Sequence, residues 1–418
     1  MQPLRGTKDI LPEETRIWRD IIQIAYKVLD NSNYKEIKTP IIENTDLFER
    51  SIGNGTDIIS KEMYSFIDQG KRNITLRPEG TASIARAFIS NKLYISNSIQ
   101  RLWYVGPMFR YERPQNGRQR QFHQLGIECI GSINAIADVE VIRLATQILR
   151  KLNFNNYTIE INSIGNTFER HEYQDILIKY LTKHINDLDE DSRHKLNSNP
   201  LRILDSKNHR TQEIIKYAPK LISHLGQESK KHFNEVCELL EGLGITYKLN
   251  YNLVRGLDYY NYTAFEIKTN ELGSQDTICG GGRYDSLIEQ LGGPSTPSVG
   301  WAMGIERLMI ILKKDLETST HKPYIYLINQ NIQTQQYMWN IIKTLEERNI
   351  KFELDLSNNN FSKQIKKAYN SGAQKCIIIG DSEVSSESVT IKDLIHHSQK
   401  TIDLSYFISK CSTIIYNK

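Results

Sequence analysis

Four arginines, Arg110, Arg113, Arg118 and Arg120, fall within eleven residues of the segment FRYERPQNGRQRQFHQLGIE, 109–128. A guanidinium is permanently charged and forks onto phosphate oxygens, so a hairpin carrying several of them suits a polyphosphate. Gly117 stands at the expected turn. If the flanking segments are antiparallel strands, Arg110, Gln124 and Glu128 converge on one face, with Glu112 nearby. An arbitrary arginine cluster is more often a solvated surface. Here Phe109, Phe122, Leu125 and Ile127 put the charges at the mouth of a core.

Other segments offer matching chemistry. In TLRPEGTAS, Glu79, Gly80 and Thr81 lie between a strand and a helix. A carboxylate there either caps the helix or receives a substrate ammonium group, and these residues alone favour the cap. LVRGLDYYNYTAFE, 253–266, reads as a strand with Tyr260, Tyr262, Ala264 and Glu266 on one face. Arg255 would neutralise a phosphate or carboxylate, or else pair with Asp258. Gly256 permits close backbone approach, and Tyr259 and Tyr260 form an aromatic wall or simply fill a sheet. The triplet in CGGGRYD, 279–285, admits a close neighbour or makes a tight turn, and no Lys-Ser/Thr follows to make it a P-loop. SVGWAMGIERLMIIL reads as a buried helix in which Arg307 needs a phosphate or a carboxylate such as Glu306. His123 reads as a satisfied sheet residue. With no Ser-His-Asp or Cys-His arrangement, chemistry would rest on positioned charge.

The elements that must hold these groups follow from periodicity. Residues 14–30 carry a helical apolar face, 34–53 an extended run with Pro40 at an edge or interface, and 137–152 a second helix. Two strands flank the polar loop 113–120, and YTIEINSIG alternates as a strand. Residues 166–245 turn polar and helical, an insertion interrupting a sheet domain whose parts are 1–165 and 246–320. Residues 321–418 alternate strand and helix, the pattern of a small α/β domain with a mostly parallel sheet.

With 418 residues the chain has room for two or three domains. Its 53 Lys+Arg against 49 Asp+Glu permit a polyanionic partner without demanding one. Five scattered cysteines with no CxxC pair argue for reduced thiols, with neither a zinc site nor a disulfide framework. No apolar run approaches the roughly 18–20 residues of a membrane span. The N-terminus resembles neither a signal nor a transit peptide, so the expectation is a cytoplasmic protein. Abundant Asn, Ile, Lys and Tyr hint at an AT-rich, organellar genome and hence a stroma such as the chloroplast's.

Taken in order, RGTKDILP, EIKTPIIENTDLFERSIG, TLRPEGT, FRYERPQNGRQRQFHQLGIE, LVRGLDYYNYTAFE, GGGRYD and GWAMGIERL resemble the signatures of the histidyl-tRNA synthetase family, a class II aminoacyl-tRNA synthetase. The resemblance covers nearly the whole chain. It implies an antiparallel-sheet catalytic core with a helical insertion and a C-terminal α/β anticodon-binding domain, working as a homodimer. It implies histidine, ATP with Mg2+, and tRNA(His) as partners, the metal's ligands being left open. Carried over residue by residue, Arg110 would grip the α-phosphate, Glu112 the adenine edge, Arg118 the outer phosphates and Arg307 the terminal one. Glu79, Gly80, Thr81 and Gln124 would surround the ammonium, Glu128 and Tyr260 would read the imidazole, and Tyr259 would line the pocket. Arg255 would approach both the carboxylate and the α-phosphate. Two departures, Asn250 where Asp is usual and HHSQ at 396–399 where Thr-Gly-Glu-Gln is commoner, touch none of these. A regulatory subunit of ATP phosphoribosyltransferase, which shares the fold, would lack the last domain. A synthetase for proline, threonine or glycine would not need Glu128 with the 255–260 segment.

Overall fold

The computed structural model describes the chain apart from residues 54–55, 97, 274–275, 317–323, 358 and 417–418. The chain forms two compact units, Met1–Glu317 and Thr318–Lys418, and the boundary expected at 320/321 lies outside the described residues.

The first unit opens with α1 (Pro12–Asp30), β1 (Lys35–Glu36), β2 (Ile42–Asn44), α2 (Thr45–Ile52), β3 (Tyr64–Ile67), β4 (Asn73–Leu76) and α3 (Thr81–Ser90). It continues through β5 (Gln100–Phe109), β6 (Gln121–Ile130), α4 (Ala135–Lys151) and β7 (Thr158–Ser163). Four helices follow: α5 (Thr167–Thr182), α6 (Glu190–Ser198), α7 (His209–Lys216) and α8 (Gln227–Gly242). Then come β8 (Lys248–Leu249), β9 (Asn261–Lys268), β10 (Thr277–Arg283), α9 (Leu287–Gln290), β11 (Ser298–Gly304) and α10 (Ile305–Leu316).

Eight strands pair in the order β1-β5-β6-β11-β10-β9-β7-β8. The six central strands are antiparallel, and the outer pairs β1/β5 and β7/β8 are parallel. Because side chains alternate across a strand, each cross-strand row shows one face of the sheet. One row runs Trp103, Ile127, Trp301, Gly281, Phe265 and Ile161. All but Gly281 lie in the apolar core, packed with residues of α1, α4, α8 and α10. The adjacent row, facing the other way, runs Tyr104, Gly126, Ala302, Gly280, Glu266 and Glu160. Small residues in its middle make a floor on which other groups can lie.

Several expectations change. The 34–53 run is extended only to Asn44, whose side chain accepts the Asp46 amide and starts α2. SVGWAMG is strand rather than helix: Val299, Trp301 and Met303 point into the core at period two, and α10 begins only at Ile305. The CGGG segment is likewise a central strand, not a turn. Tyr262 does not share a face with Tyr260 and Ala264. Its φ of 46° and a register shift against Gly282/Arg283 rephase β9 there, and its ring meets His232 of α8. Within 166–245, α5–α7 pack in one apolar cluster with Tyr259, Tyr260 and Tyr284. Phe233, Val236 and Leu240 of α8 instead cover the main sheet beside α4.

In the second unit β12 (Ile325–Asn329), α11 (Ile332–Glu347), β13 (Phe352–Leu354), α12 (Phe361–Asn370) and β14 (Lys375–Ile379) give parallel pairing. After α13 (Asp381–Ser385), β15 (Ser388–Asp393) and β16 (Gln399–Asp403) add antiparallel strands, and α14 (Leu404–Tyr416) ends the unit. The sheet, β13-β12-β14-β15-β16, is therefore half parallel rather than mostly so. The β15–β16 turn explains this: Asp393 Oδ1 accepts the amides of Ile395 and His396, and His397 takes φ 54° where the resemblance leads one to expect Gly. Helices α11 and α14 share one apolar cluster with the sheet and α12 another.

Candidate active site

Above the small-residue floor lies a cavity of about 190 Å³ lined by Glu79, Thr81, Arg110, Glu112, Arg118, Gln124, Arg255, Tyr259, Tyr260 and Arg307. Residues distant in sequence thus meet in one place. Of the other expected site residues, Gly80 and Glu128 are not on its wall. Gly80 precedes α3 against the Tyr104 ring, where an added Cβ would lie 2.2 Å from a ring carbon. Glu128 is buried nearby, 1% exposed.

The arginines are held by backbone and by carboxylates. Arg110 Nε donates to the Pro78 carbonyl at 2.9 Å, and its guanidinium lies 5.4 Å from the Phe122 ring centre. Gln115 and Arg118 exchange two backbone hydrogen bonds of 3.0 Å, a tight turn with Gly117 at φ 72°. That turn sets Arg118 on Glu112 and offers the Gly117 carbonyl to Arg307 Nε at 3.1 Å. Arg307 also donates to the Thr277 carbonyl. Burial first, and then the neighbouring Arg118, push its pKa below the usual value. Glu306 does not pair with Arg307. It accepts the amide of His123 and sits 2.8 Å from His123 Nδ1, so His123 is a satisfied sheet residue. Of the remaining arginines, Arg120 stacks over Tyr111 at 3.7 Å and Arg113 is exposed.

Arg255 pairs with Glu266, not with Asp258. Burial works against its charge, and Glu266 more than offsets this, leaving its pKa above the ordinary value. Glu266 is the residue that sequence reasoning missed, though the strand alternation had placed it on the active face. Asp258 is a structural partner: its amide donates to Ile52 O at 3.1 Å and its carboxylate accepts Asn199 Nδ2 at 2.9 Å. Arg170 of α5 bonds the carbonyls of Asp258 and Tyr260 at 3.0 and 2.6 Å, so the insertion grips the 255–260 loop.

The acidic side is buried. Glu79 does cap α3, accepting the amides of Thr81 at 2.6 Å and Ala82 at 2.7 Å. Burial nevertheless raises its pKa. Glu128 accepts the hydroxyls of Thr81 at 2.7 Å and of Tyr284, yet burial pushes it up to about 8. Tyr259 and Tyr260 pack with ring centres 4.6 Å apart, and Gln124 Oε1 has no protein partner among the described residues. The groups present have the chemistry to receive a small zwitterion beside a polyanion: carboxyl groups and an amide oxygen for an ammonium and a ring N–H, guanidiniums for carboxylate and phosphate. Among the described residues no group of three or more His, Cys, Asp or Glu is placed to hold a metal ion, and no helix is long and apolar enough to cross a membrane.

A family model described as Histidyl-tRNA synthetase matches residues 6–308, and one described as Anticodon binding domain matches 324–414. The chloroplastic histidine–tRNA ligase of Gracilaria tenuistipitata var. liui is 62% identical over 98% of this chain and 97% of its own length. The histidine–tRNA ligase of Synechocystis sp. is 52% identical over 97% of this chain and 90% of its own. The crystal structure of apo S. aureus histidyl-tRNA synthetase superposes with a TM-score of 0.81 at 34% identity, covering 98% of this chain and 99% of that one.

Proposed function

The chain belongs to the histidyl-tRNA synthetase family, and from that premise we propose how its cavity activates L-histidine with ATP and passes the aminoacyl group to tRNA(His). The activity is that of an ATP-dependent histidine–tRNA ligase with a class II catalytic core and an anticodon-binding domain. A histidine carboxylate oxygen attacks the α-phosphorus, the bond to the β-phosphate bridging oxygen breaks, and pyrophosphate leaves. A hydroxyl of the terminal tRNA ribose then attacks the acyl carbon, and AMP departs.

Catalysis is positioned charge rather than proton relay. Arg255 and Arg110 face the α-phosphate, where negative charge gathers as attack proceeds, and Arg255 also meets the substrate carboxylate. Arg118 exchanges Glu112 for the outer phosphates, freeing Glu112 for the adenine edge, and Arg307 takes the terminal phosphate. Glu79, Thr81 and Gln124 receive the ammonium beside Gly80, while Glu128 and Tyr260 read the imidazole next to Tyr259. Mg2+ would arrive on the ATP phosphates, the usual mode for this ion, neutralising their charge. The observation that carries the reading is the meeting of Arg110, Arg118, Arg255 and Arg307 with Glu79 in one cavity.

The chain acts as a homodimer through the first motif, supported by the exposed apolar residues Ile41, Ile42, Phe66 and Ile67 around the β2-β4-β3 sheet. A plastid stroma or a cyanobacterial-type cytoplasm fits its relatives. Histidine-dependent exchange between pyrophosphate and ATP tests the function. Exchange with histidine alone among the amino acids is expected; none with histidine, or equal exchange with proline, threonine or glycine, would overturn it.

A further inference from the structure

Arg255 is fixed by a carboxylate from the sheet floor, Glu266. The reason lies in the cross-strand row. Glu266 of β9 sits opposite Gly280 of β10, and the missing side chain at Gly280 leaves the space the guanidinium occupies. A Cβ there would come within 2.4 Å of Arg255 Nη2. Glu266 Oε1 takes Arg255 Nη1, while Oε2 accepts the Thr277 hydroxyl at 3.1 Å and lies 3.3 Å from Lys268 Nζ. Lys268 in turn lies 3.0 Å from Glu160, which accepts Asn250 Nδ2 at 2.7 Å. Thr277 precedes the register shift in β10. One residue therefore serves two arginines: its hydroxyl steadies Glu266, and its carbonyl accepts Arg307.

We propose that Glu266, braced by Thr277 and Lys268, is the positioning residue that aims Arg255 at the reacting carboxylate and phosphate. It touches neither substrate. By occupying Nη1 from the floor it fixes the plane of the guanidinium and leaves the rest of that group to the cavity. Lys268 offsets the carboxylate's charge from the far side, so Glu266 orients Arg255 without competing fully for it. This rests on the assignment of Arg255 to the activation step.

The test is a double-mutant cycle on histidine-dependent pyrophosphate–ATP exchange, with Glu266→Gln, Arg255→Ala and the pair. Glu266→Gln is expected to lower kcat by roughly 10- to 100-fold, the scale of a small misplacement of a catalytic group, with little change in KM for ATP. On the Arg255→Ala background the same change should cost almost nothing. Thr277→Val, which keeps the charged pair, should give a several-fold, equally Arg255-dependent loss, and it serves if Glu266→Gln does not fold. Normal kcat in Glu266→Gln and Thr277→Val, or equal losses on both backgrounds, would overturn the inference alone. Full exchange in Arg255→Ala would overturn both it and the assignment of Arg255.

Discussion

Replacing Glu128 by Gln separates what that carboxyl does for histidine from what its burial costs the fold. Burial raises its pKa to about 8 in the folded protein, against an ordinary value of 4.5. The folded state therefore holds a proton that the unfolded state releases between these values. Stability from this group is complete below about pH 4.5 and is lost as pH rises through 8. The ceiling on that loss is about 5 kcal/mol, at 1.36 kcal/mol per pH unit. Gln keeps the volume and one oxygen acceptor, presents an N–H₂ to the other of the two hydroxyls of Thr81 and Tyr284, and cannot titrate. Thermal unfolding from pH 5 to pH 9 should thus show the wild type losing several degrees relative to Glu128→Gln. In the same protein kcat/KM for histidine should fall about 10- to 150-fold, the value of a hydrogen bond to a charged group. Parallel pH curves for the two proteins would refute the raised pKa. Undiminished histidine activation would remove Glu128 from imidazole recognition.

Other consequences are as direct. If Glu128 reads the imidazole as proposed, the ring, with a pKa near 6.5, would share one proton with it, so kcat/KM for histidine should peak between about pH 6.5 and about 8; a profile still rising at pH 9 would contradict this. Arg307→Ala should lower kcat/KM for ATP by about 10- to 150-fold while KM for histidine stays nearly constant, and equal effects on both would contradict the terminal-phosphate role. Gly280→Ala forces Arg255 to move, because its Cβ would meet the flexible end of that side chain. Exchange should drop roughly 10- to 100-fold with Tm almost unchanged, whereas a large fall in Tm with normal exchange would mean the floor is only structural. Asp138 is fully buried against Arg283. Burial alone would raise its pKa, but Arg283 holds it below the usual range. Asp138→Asn should cost about 3–5 kcal/mol at pH 7, a gap that denaturation curves should show closing as pH falls and the wild-type carboxyl protonates.

The cluster of cavity arginines and the Glu79 turn were legible in sequence because each combines a charge with a local signal, a glycine turn or a strand-to-helix junction. What failed were runs whose apolar residues suit two periods. VGWAM supports a strand as well as a helix, and only pairing with β6 and β10 decides it. The partner of Arg255 was hidden for a different reason. Asp258 is three residues away and Glu266 eleven, yet the loop turns Asp258 towards Asn199 while the strand returns Glu266 to the floor. The rephasing at Tyr262 rests on a left-handed residue that no pattern of hydrophobicity announces. Gly280 reads as permissive in sequence, and its purpose emerges only once a guanidinium is seen lying on it.

In the proposed reading the cavity takes the imidazole towards Tyr260 and the Glu128 carboxyl buried behind its wall, and the reacting phosphate against Arg110 and Arg255. A crystal structure with a non-hydrolysable histidyl-adenylate analogue tests it most directly. The ring nitrogen should lie within hydrogen-bond distance of Glu128 and the phosphate surrogate within reach of both guanidiniums. An imidazole turned away from Glu128, or a phosphate surrogate contacted by neither Arg110 nor Arg255, would contradict the account.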